Sequence, residues 1–131
     1  MVSTSLELVP VGDGWAVAFS LNNTTSHEVS GQIVEPFLGY QLEVATPDGT
    51  KLSIAQPAFN VIGRPRTLVL AAGATVRLET PIRLRFDPSV PPSGGPDRMV
   101  WSIRAPKQRV EVKATFEIPG LGAQVARGHI D

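Results

Sequence analysis

The segment Trp15-Ala16-Val17-Ala18-Phe19-Ser20-Leu21 decides the fold class, because every second residue in it is large and apolar. A period of two places alternate side chains on one face of a β-strand. An amphipathic helix instead needs apolar residues three and four positions apart. The segment therefore predicts a strand with one buried face and one exposed face.

The same period of two recurs on both sides of this segment. Turn sequences separate the segments, among them Asp13-Gly14, Pro47-Asp48-Gly49 and Ala72-Gly73. The 12 prolines interrupt the chain too often for long helices. The further apolar positions that alternate are Leu6 and Leu8; Tyr40, Leu42 and Val44; Val76, Leu78, Ile82, Leu84 and Phe86; Met99, Trp101 and Ile103; and Val110, Val112, Ala114, Phe116 and Ile118.

This pattern predicts an all-β protein, a β-sandwich of two antiparallel sheets with about seven to nine strands. Its 131 residues, 42% of them hydrophobic, are enough for one domain with its own core. Because there is no cysteine, disulfides and thiolate metal sites are excluded. We expect the sandwich to span residues 1–118, followed by a mobile or loosely docked tail over residues 119–131.

Catalytic motifs are missing from the sequence. It contains two histidines, His27 and His129, and no Gly-x-Ser-x-Gly nucleophile elbow. The acidic residues are spread singly, and no spacing typical of metal ligands or of a phosphate-binding loop occurs. We therefore expect a non-enzymatic protein with no cofactor and no metal site.

The charge balance conceals an asymmetry. The chain has 12 basic and 12 acidic residues, but residues 1–63 carry 1 − 6 = −5 and residues 64–131 carry 11 − 6 = +5. A stripe of Arg77, Arg83 and Arg85 has outward parity on one strand. It predicts either a basic face for an anionic partner or charges that discourage aggregation and are neutralised by neighbouring acidic strands. Nucleic acid is disfavoured, because the sequence pI is about 6.7.

If the acidic and basic strands segregate by sheet, the domain has one acidic face and one basic face. If they intermingle, the zero net charge means only a solvated surface.

Two irregular segments are the candidate binding loops, residues 57–66 and 87–97. Three aromatic rings, Phe37, Tyr40 and Phe59, form a candidate platform for a small ligand if they are exposed. The motif Asn22-Asn23-Thr24-Thr25 is expected to close a turn through bonds from side chains to the backbone. The candidate contact residues of the two loops are Phe59, Arg64, Arg66, Pro92, Gly94, Gly95 and Pro96.

Over about residues 15–86 the chain resembles bacterial immunoglobulin-like domains. A strand ends in Asn22-Asn23-Thr24-Thr25, Pro47-Asp48-Gly49 forms an Asp-Gly turn, and Leu70-Ala71-Ala72-Gly73 precedes a long strand. In those domains a proline usually stands at the position of Ala72. The chain also resembles, more distantly, the intracellular proteinase inhibitors, which are single immunoglobulin-like domains. The resemblance implies an immunoglobulin-like sandwich that acts by binding.

Three functions follow as alternatives. The first is a protein-interaction domain with an unidentified protein partner, or a homo-oligomer formed through sheet edges. The second is a proteinase inhibitor that inserts an exposed loop into an active-site cleft. The third is a module that binds a carbohydrate or another small ligand.

Targeting signals are not evident after Met1, and no apolar run approaches the length of about 20 residues that spans a membrane. We expect a cytoplasmic protein without membrane contact. The alternative is a secreted or periplasmic protein from which a signal peptide has been removed.

Overall fold

The protein is all-β, as the alternation predicts. The structure, a computed structural model, describes residues 1–58, 61–93 and 99–131, which contain eleven strands and no helix. None of these residues belongs to a helix that could cross a membrane. The strands are β1 (Val2–Val11), β2 (Gly14–Asn23), β3 (Val29–Glu35), β4 (Tyr40–Ala45), β5 (Lys51–Leu52), β6 (Ile54–Ala55), β7 (Arg64–Leu70), β8 (Thr75–Phe86), β9 (Val100–Ile103), β10 (Val110–Ile118) and β11 (Gly122–Ile130).

In the described residues the strands form three sheets rather than the two predicted. The orders are β1-β2-β8-β9-β6, β11-β10-β4-β5 and β3-β7. All neighbours are antiparallel except β8 and β9, which pair in parallel from Arg83↔Val100 to Phe86↔Ile103. The chain between these strands is about a dozen residues long, which is enough for a crossover that restores the same strand direction. The prediction of purely antiparallel sheets is therefore wrong at this pair.

The core has the predicted parity. On β2, Trp15, Val17, Phe19 and Leu21 are all buried. The ring of Phe19 lies at the centre of an aromatic cluster, 4.9 Å from Phe116 and 5.1 Å and 5.7 Å from two further rings. These two rings belong to Tyr40 and Phe37. Trp101 is also buried, whereas Phe86 is only half-buried.

Asn23 closes the end of β2, as the sequence predicts. Its side chain is fully buried, and its amide nitrogen donates to the carbonyl oxygens of His27 at 2.8 Å and Leu70 at 3.0 Å. Its Oδ1 accepts from the backbone nitrogen and the hydroxyl of Thr25. These bonds connect the end of β2 to the end of β7, so Asn23 is a structural residue.

The first predicted turn is displaced by one residue. Val11 pairs with Gly14, so the hairpin between β1 and β2 turns at Gly12-Asp13 rather than at Asp13-Gly14. Gly12 has φ of 61°, a left-handed conformation that glycine adopts without strain. The turns at Pro47-Asp48-Gly49 and Ala72-Gly73 lie where the sequence predicts them.

The prediction of a mobile tail over residues 119–131 is wrong. Residues 122–130 are β11, which pairs with β10 along its whole length, from Ile118↔Gly122 to Val110↔Ile130. The inward positions of β11 carry a polar residue, Gln124, two small residues, Ala126 and Gly128, and one large apolar residue, Ile130; Leu6 and Leu8 on β1 fill the space beside Gly128. Without large apolar residues at alternate positions, the segment lacks the pattern by which the other strands are recognised.

Candidate functional site

The first predicted loop, residues 57–66, ends earlier than expected, because β7 begins at Arg64. Arg66 forms an ion pair with Glu35 of the neighbouring strand β3. Arg64 is exposed and has no ion-pair partner among the described residues. Phe59 lies outside the residues that the structure describes. Two of the three residues predicted for this loop, Arg64 and Arg66, therefore lie on the same strand, β7.

An exposed apolar patch lies where this loop meets β3, and we define it as Val34, Val61 and Ile62. The side chain of Ile62 is 93% exposed, and those of Val34 and Val61 are about half exposed. A Cβ placed on Gly63 would collide with Cγ1 of Val34, so the loop crosses directly over that side chain. Isolated exposed aliphatic residues are normal, whereas large contiguous apolar patches are typical of interaction sites.

A hollow of about 230 Å³ adjoins the apolar patch and shares Val34 with it. Its apolar lining comes from β3, from the start of β7 and from the end of β10, and Glu117 is a charged residue on its wall. The hollow could take one apolar side chain of a partner. The other residues that contribute apolar surface are Ile33, Phe37, Pro65, Ile118 and Pro119.

The second predicted loop, residues 87–97, is described only as far as residue 93. Pro92 is exposed there, whereas Gly94, Gly95 and Pro96 lie outside the described residues. Val90 is buried, and its carbonyl oxygen accepts a bond of 2.9 Å from Nε of Arg104. Hydrogen bonds from the side chain and backbone of Ser89, with the charge of Arg85, hold the pKa of Asp87 below its ordinary value. The described part of this loop is thus locally ordered by its own polar contacts.

The predicted arginine stripe lies on β8 with the expected parity, but β8 is not an edge strand. It has β2 on one side and β9 on the other, so Arg77, Arg83 and Arg85 do not protect a sheet edge. Arg77 lies 3.1 Å from a carboxylate oxygen of Glu7 on β1. Acidic and basic strands therefore intermingle in this sheet, in agreement with the second of the two charge arrangements considered.

Two rings of the predicted aromatic platform are not accessible. Phe37 and Tyr40 are 6% and 2% exposed, because both pack against Phe19 in the core. The remaining member, Phe59, lies outside the described residues. Phe37 and Tyr40 therefore offer no surface for a ligand.

A charged groove, of about 430 Å³, lies on the outer face of the four-stranded sheet and was not found by the sequence analysis. We define it by the residues that carry its charge: Glu43, Lys51, Glu111, Lys113, Arg127 and His129. It was missed because β11, which contributes Arg127 and His129, was predicted as a tail. No alternation of large apolar residues could have revealed β11, because Ile130 is the one large apolar residue among its inward positions, Gln124, Ala126, Gly128 and Ile130.

No group of three or more metal-ligating side chains occurs in the described part of the chain. The chain matches no protein-family model and no curated protein.

Proposed function

We propose that the protein is a non-enzymatic interaction domain that binds a protein partner through the apolar patch. The observation that supports this proposal is the exposure of Ile62, an aliphatic residue that is 93% exposed in a patch with two further exposed valines. Burial of such a side chain in an interface contributes about 1.5–3 kcal/mol. Because the patch adjoins a hollow, a partner can supply the complementary apolar side chain and bury both.

The charges beside the patch indicate what this partner carries. Arg64 is exposed two residues beyond Ile62 and has no ion-pair partner in the described part of the chain. An arginine on the rim of an interface favours a partner carboxylate. The partner surface is therefore apolar at its centre with an acidic residue at its rim. A protease whose active-site cleft accepts this loop, and is inhibited by it, is one partner of that kind.

The proposed architecture is an immunoglobulin-like β-sandwich formed by the four- and five-stranded sheets. Core contacts between the two sheets support it: Phe19 on β2 packs against Phe116 on β10, and the hydroxyl of Thr4 on β1 bonds to Gln124 on β11 at 2.6 Å. Such a scaffold presents its loops at the two ends of the sheets, where binding residues of sandwich proteins commonly lie.

The test is crosslinking of the full chain inside its native cells, with a photoreactive amino acid replacing Ile62. We expect one protein to be crosslinked from this position. The matched control carries the same amino acid at Val9, a 44% exposed position on β1 outside the patch. Arg64→Glu in the Ile62-labelled chain should reduce the yield severalfold, because a rim charge facing a carboxylate is reversed. Arg83→Glu, on a different strand, should leave the yield unchanged.

Equal crosslinking from positions 62 and 9, or none from position 62, would contradict the proposal. A product of twice the chain mass identifies a second copy as the partner, and a protease product identifies inhibition. A crosslinking yield that Arg64→Glu leaves unchanged would contradict an acidic residue at the rim of the partner surface.

A further inference from the structure

The charged groove places two like charges at directly opposite positions of neighbouring strands. Lys113 on β10 and Arg127 on β11 are directly opposite in the strand register, and both line the groove. Side chains at directly opposite positions have Cβ atoms about 4.5–5.5 Å apart, and like charges there are destabilising. Lys113 is half-buried, so water screens its charge less than that of a fully exposed lysine.

The carboxylates of the groove form no ion pair with Lys51, Lys113 or Arg127 in the part of the chain that the structure describes. Glu43 is opposite Lys113 on the other side, and Glu111 precedes Lys113 by two residues on the same strand. Even so, neither Lys113 nor Arg127 forms an ion pair or a side-chain hydrogen bond with any residue that the structure describes. The same is true of Lys51 on β5. The ion pairs found elsewhere, such as Arg77 with Glu7, show that this surface forms them where the geometry permits.

The residues that line the groove are held by well-paired strands. The register between β10 and β11 is unbroken over nine residue pairs, and that between β10 and β4 over six. The backbone positions of Lys113, Arg127 and Glu43 are therefore set by the sheet rather than by a loop. A site on strands keeps its geometry before a ligand arrives, which lowers the entropic cost of binding.

We propose that this groove binds a small hydroxylated anion, whose phosphate or carboxylate group lies between Lys113 and Arg127. The guanidinium of Arg127 can bind two anionic oxygens at once, and the ammonium of Lys113 adds a point charge. Glu43 and Glu111 accept hydrogen bonds from the hydroxyl groups of the same molecule. They also disfavour a ligand that is anionic along its whole length. A volume of about 430 Å³ suits a small organic molecule rather than a bare ion.

This site is independent of the apolar patch, which lies at β3 and the loop before β7. Failure of one proposal therefore leaves the other standing.

The test is a titration of the isotopically labelled full chain, followed by the backbone amide signals in NMR spectra. Glycerol 3-phosphate and glycerate are the two probes, and their comparison tells a phosphate site from a carboxylate site. We expect saturable shifts at residues 111–113 and 127–129 with at least one probe. Glycerol, which lacks the anionic group, and sodium chloride at matched ionic strength should leave these signals in place.

The variants Arg127→Gln and Lys113→Gln should each weaken binding about tenfold, the effect expected when one charge-assisted hydrogen bond is lost. Arg83→Gln is the matched control, because Arg83 is an exposed arginine on β8 outside the groove. The amide spectrum of each variant also reports whether the fold is retained. The proposal would be overturned by shifts that sodium chloride reproduces, by an affinity in the groove variants equal to that of the parent protein, or by no response to either probe.

Discussion

At the scale of single residues, the hydroxyl of Tyr40 is a buried polar group that connects three strands. It lies 3.1 Å from the hydroxyl of Thr80 and accepts a bond of 3.3 Å from Nε1 of Trp101. The hydroxyl of Thr80 also accepts from the backbone nitrogen of Ile82 at 3.3 Å. Tyr40 thereby joins β4 to β8 and β9. Removing the hydroxyl leaves the indole nitrogen buried without this acceptor.

Tyr40→Phe is therefore expected to lower the free energy of unfolding by about 1–3 kcal/mol, the cost of leaving buried polar groups unsatisfied. The measurement is urea-induced unfolding near neutral pH, monitored by tryptophan fluorescence. An unchanged free energy of unfolding would contradict the network as described. Phe116 provides a useful comparison, since it is buried in the same cluster and carries no polar atom.

The same substitution tests the titration of Tyr40. Burial raises the pKa of Tyr40 above its ordinary value of 10.0, with hydrogen bonds from Thr80 and Trp101 opposing the effect. Above pH 10.0 the unfolded chain loses this proton before the folded chain does, so stability falls as the pH rises and is undiminished below that value. In Tyr40→Phe this part of the alkaline loss should disappear.

Tyr40 is the sole tyrosine, so the absorbance of tyrosinate reports its ionisation directly. Ionisation at the ordinary pH in the folded protein would contradict the raised pKa.

At the scale of elements, the two-stranded sheet is joined to the four-stranded sheet by a close backbone contact. The backbone nitrogen of Gln32 on β3 donates to the carbonyl oxygen of Pro119 at 2.9 Å. A Cβ on Gly31 would lie 2.7 Å from Cγ2 of Ile118 and 2.8 Å from Cγ of Leu121. Only glycine leaves room for this approach, so the position of β3 depends on Gly31.

Gly31→Ala should destabilise the protein by about 1–3 kcal/mol, the usual cost of forcing an extra carbon into a packed contact. Thermal and urea unfolding measure the effect. The matched control is Gly39→Ala, because a Cβ at Gly39 meets no atom within 4 Å and its φ is not positive. That change should stay within about 0.5 kcal/mol. Similar effects of the two substitutions would mean that β3 does not rest on this contact.

Some strands could be predicted because their own residues alternate between large apolar and polar ones, whereas other strands are packed by side chains of a neighbouring strand. The strand around Phe19 could be predicted because it alternates large apolar residues with small or polar ones. The strands β3 and β11 could not be predicted in this way, because Gly31 and Gly128 stand at positions that face the interior. There the neighbouring strand supplies the bulk, and a periodicity argument has nothing to detect.

The same distinction applies to the two candidate sites on the surface. Arg64 and Arg66 could be singled out as charged residues beside a loop, although the ion pair of Arg66 with Glu35 depends on the pairing of β3 with β7. The charged groove could not be predicted, because Lys113 and Arg127 become neighbours only through the register of β10 and β11. Side-chain sites built across strands need the register, which the local sequence does not encode by itself.

At the scale of the whole molecule, strands of the acidic half pair with strands of the basic half in the part of the chain that the structure describes. β3 carries Glu35 and pairs with β7, which carries Arg66; β4 carries Glu43 and pairs with β10, which carries Lys113. In each case a strand from the first half lies beside one from the second. The charge of −5 in residues 1–63 is therefore interleaved with that of +5 in residues 64–131. These strand pairs bring opposite charges together, whereas β10 and β11 bring together the like charges of Lys113 and Arg127.

This arrangement predicts the sign of the salt dependence of stability. Screening weakens attraction between interleaved charges, so raising sodium chloride from about 0.05 M to about 1 M should lower the free energy of unfolding slightly, by less than about 1 kcal/mol. Separate acidic and basic faces would give the opposite sign, because salt would relieve repulsion within each face. Urea unfolding at the two salt concentrations measures the difference. Sodium chloride is preferable to sulfate, which stabilises proteins by exclusion from their surface.

The double variant Glu7→Gln/Arg77→Gln is the control for this measurement, since it removes an ion pair between β1 and β8 without changing the net charge. Its salt dependence should be smaller than that of the parent protein. A free energy of unfolding that rises with sodium chloride in the parent would contradict the interleaved surface. It would also mean that the cations of the charged groove repel one another more strongly than the ion pairs elsewhere attract.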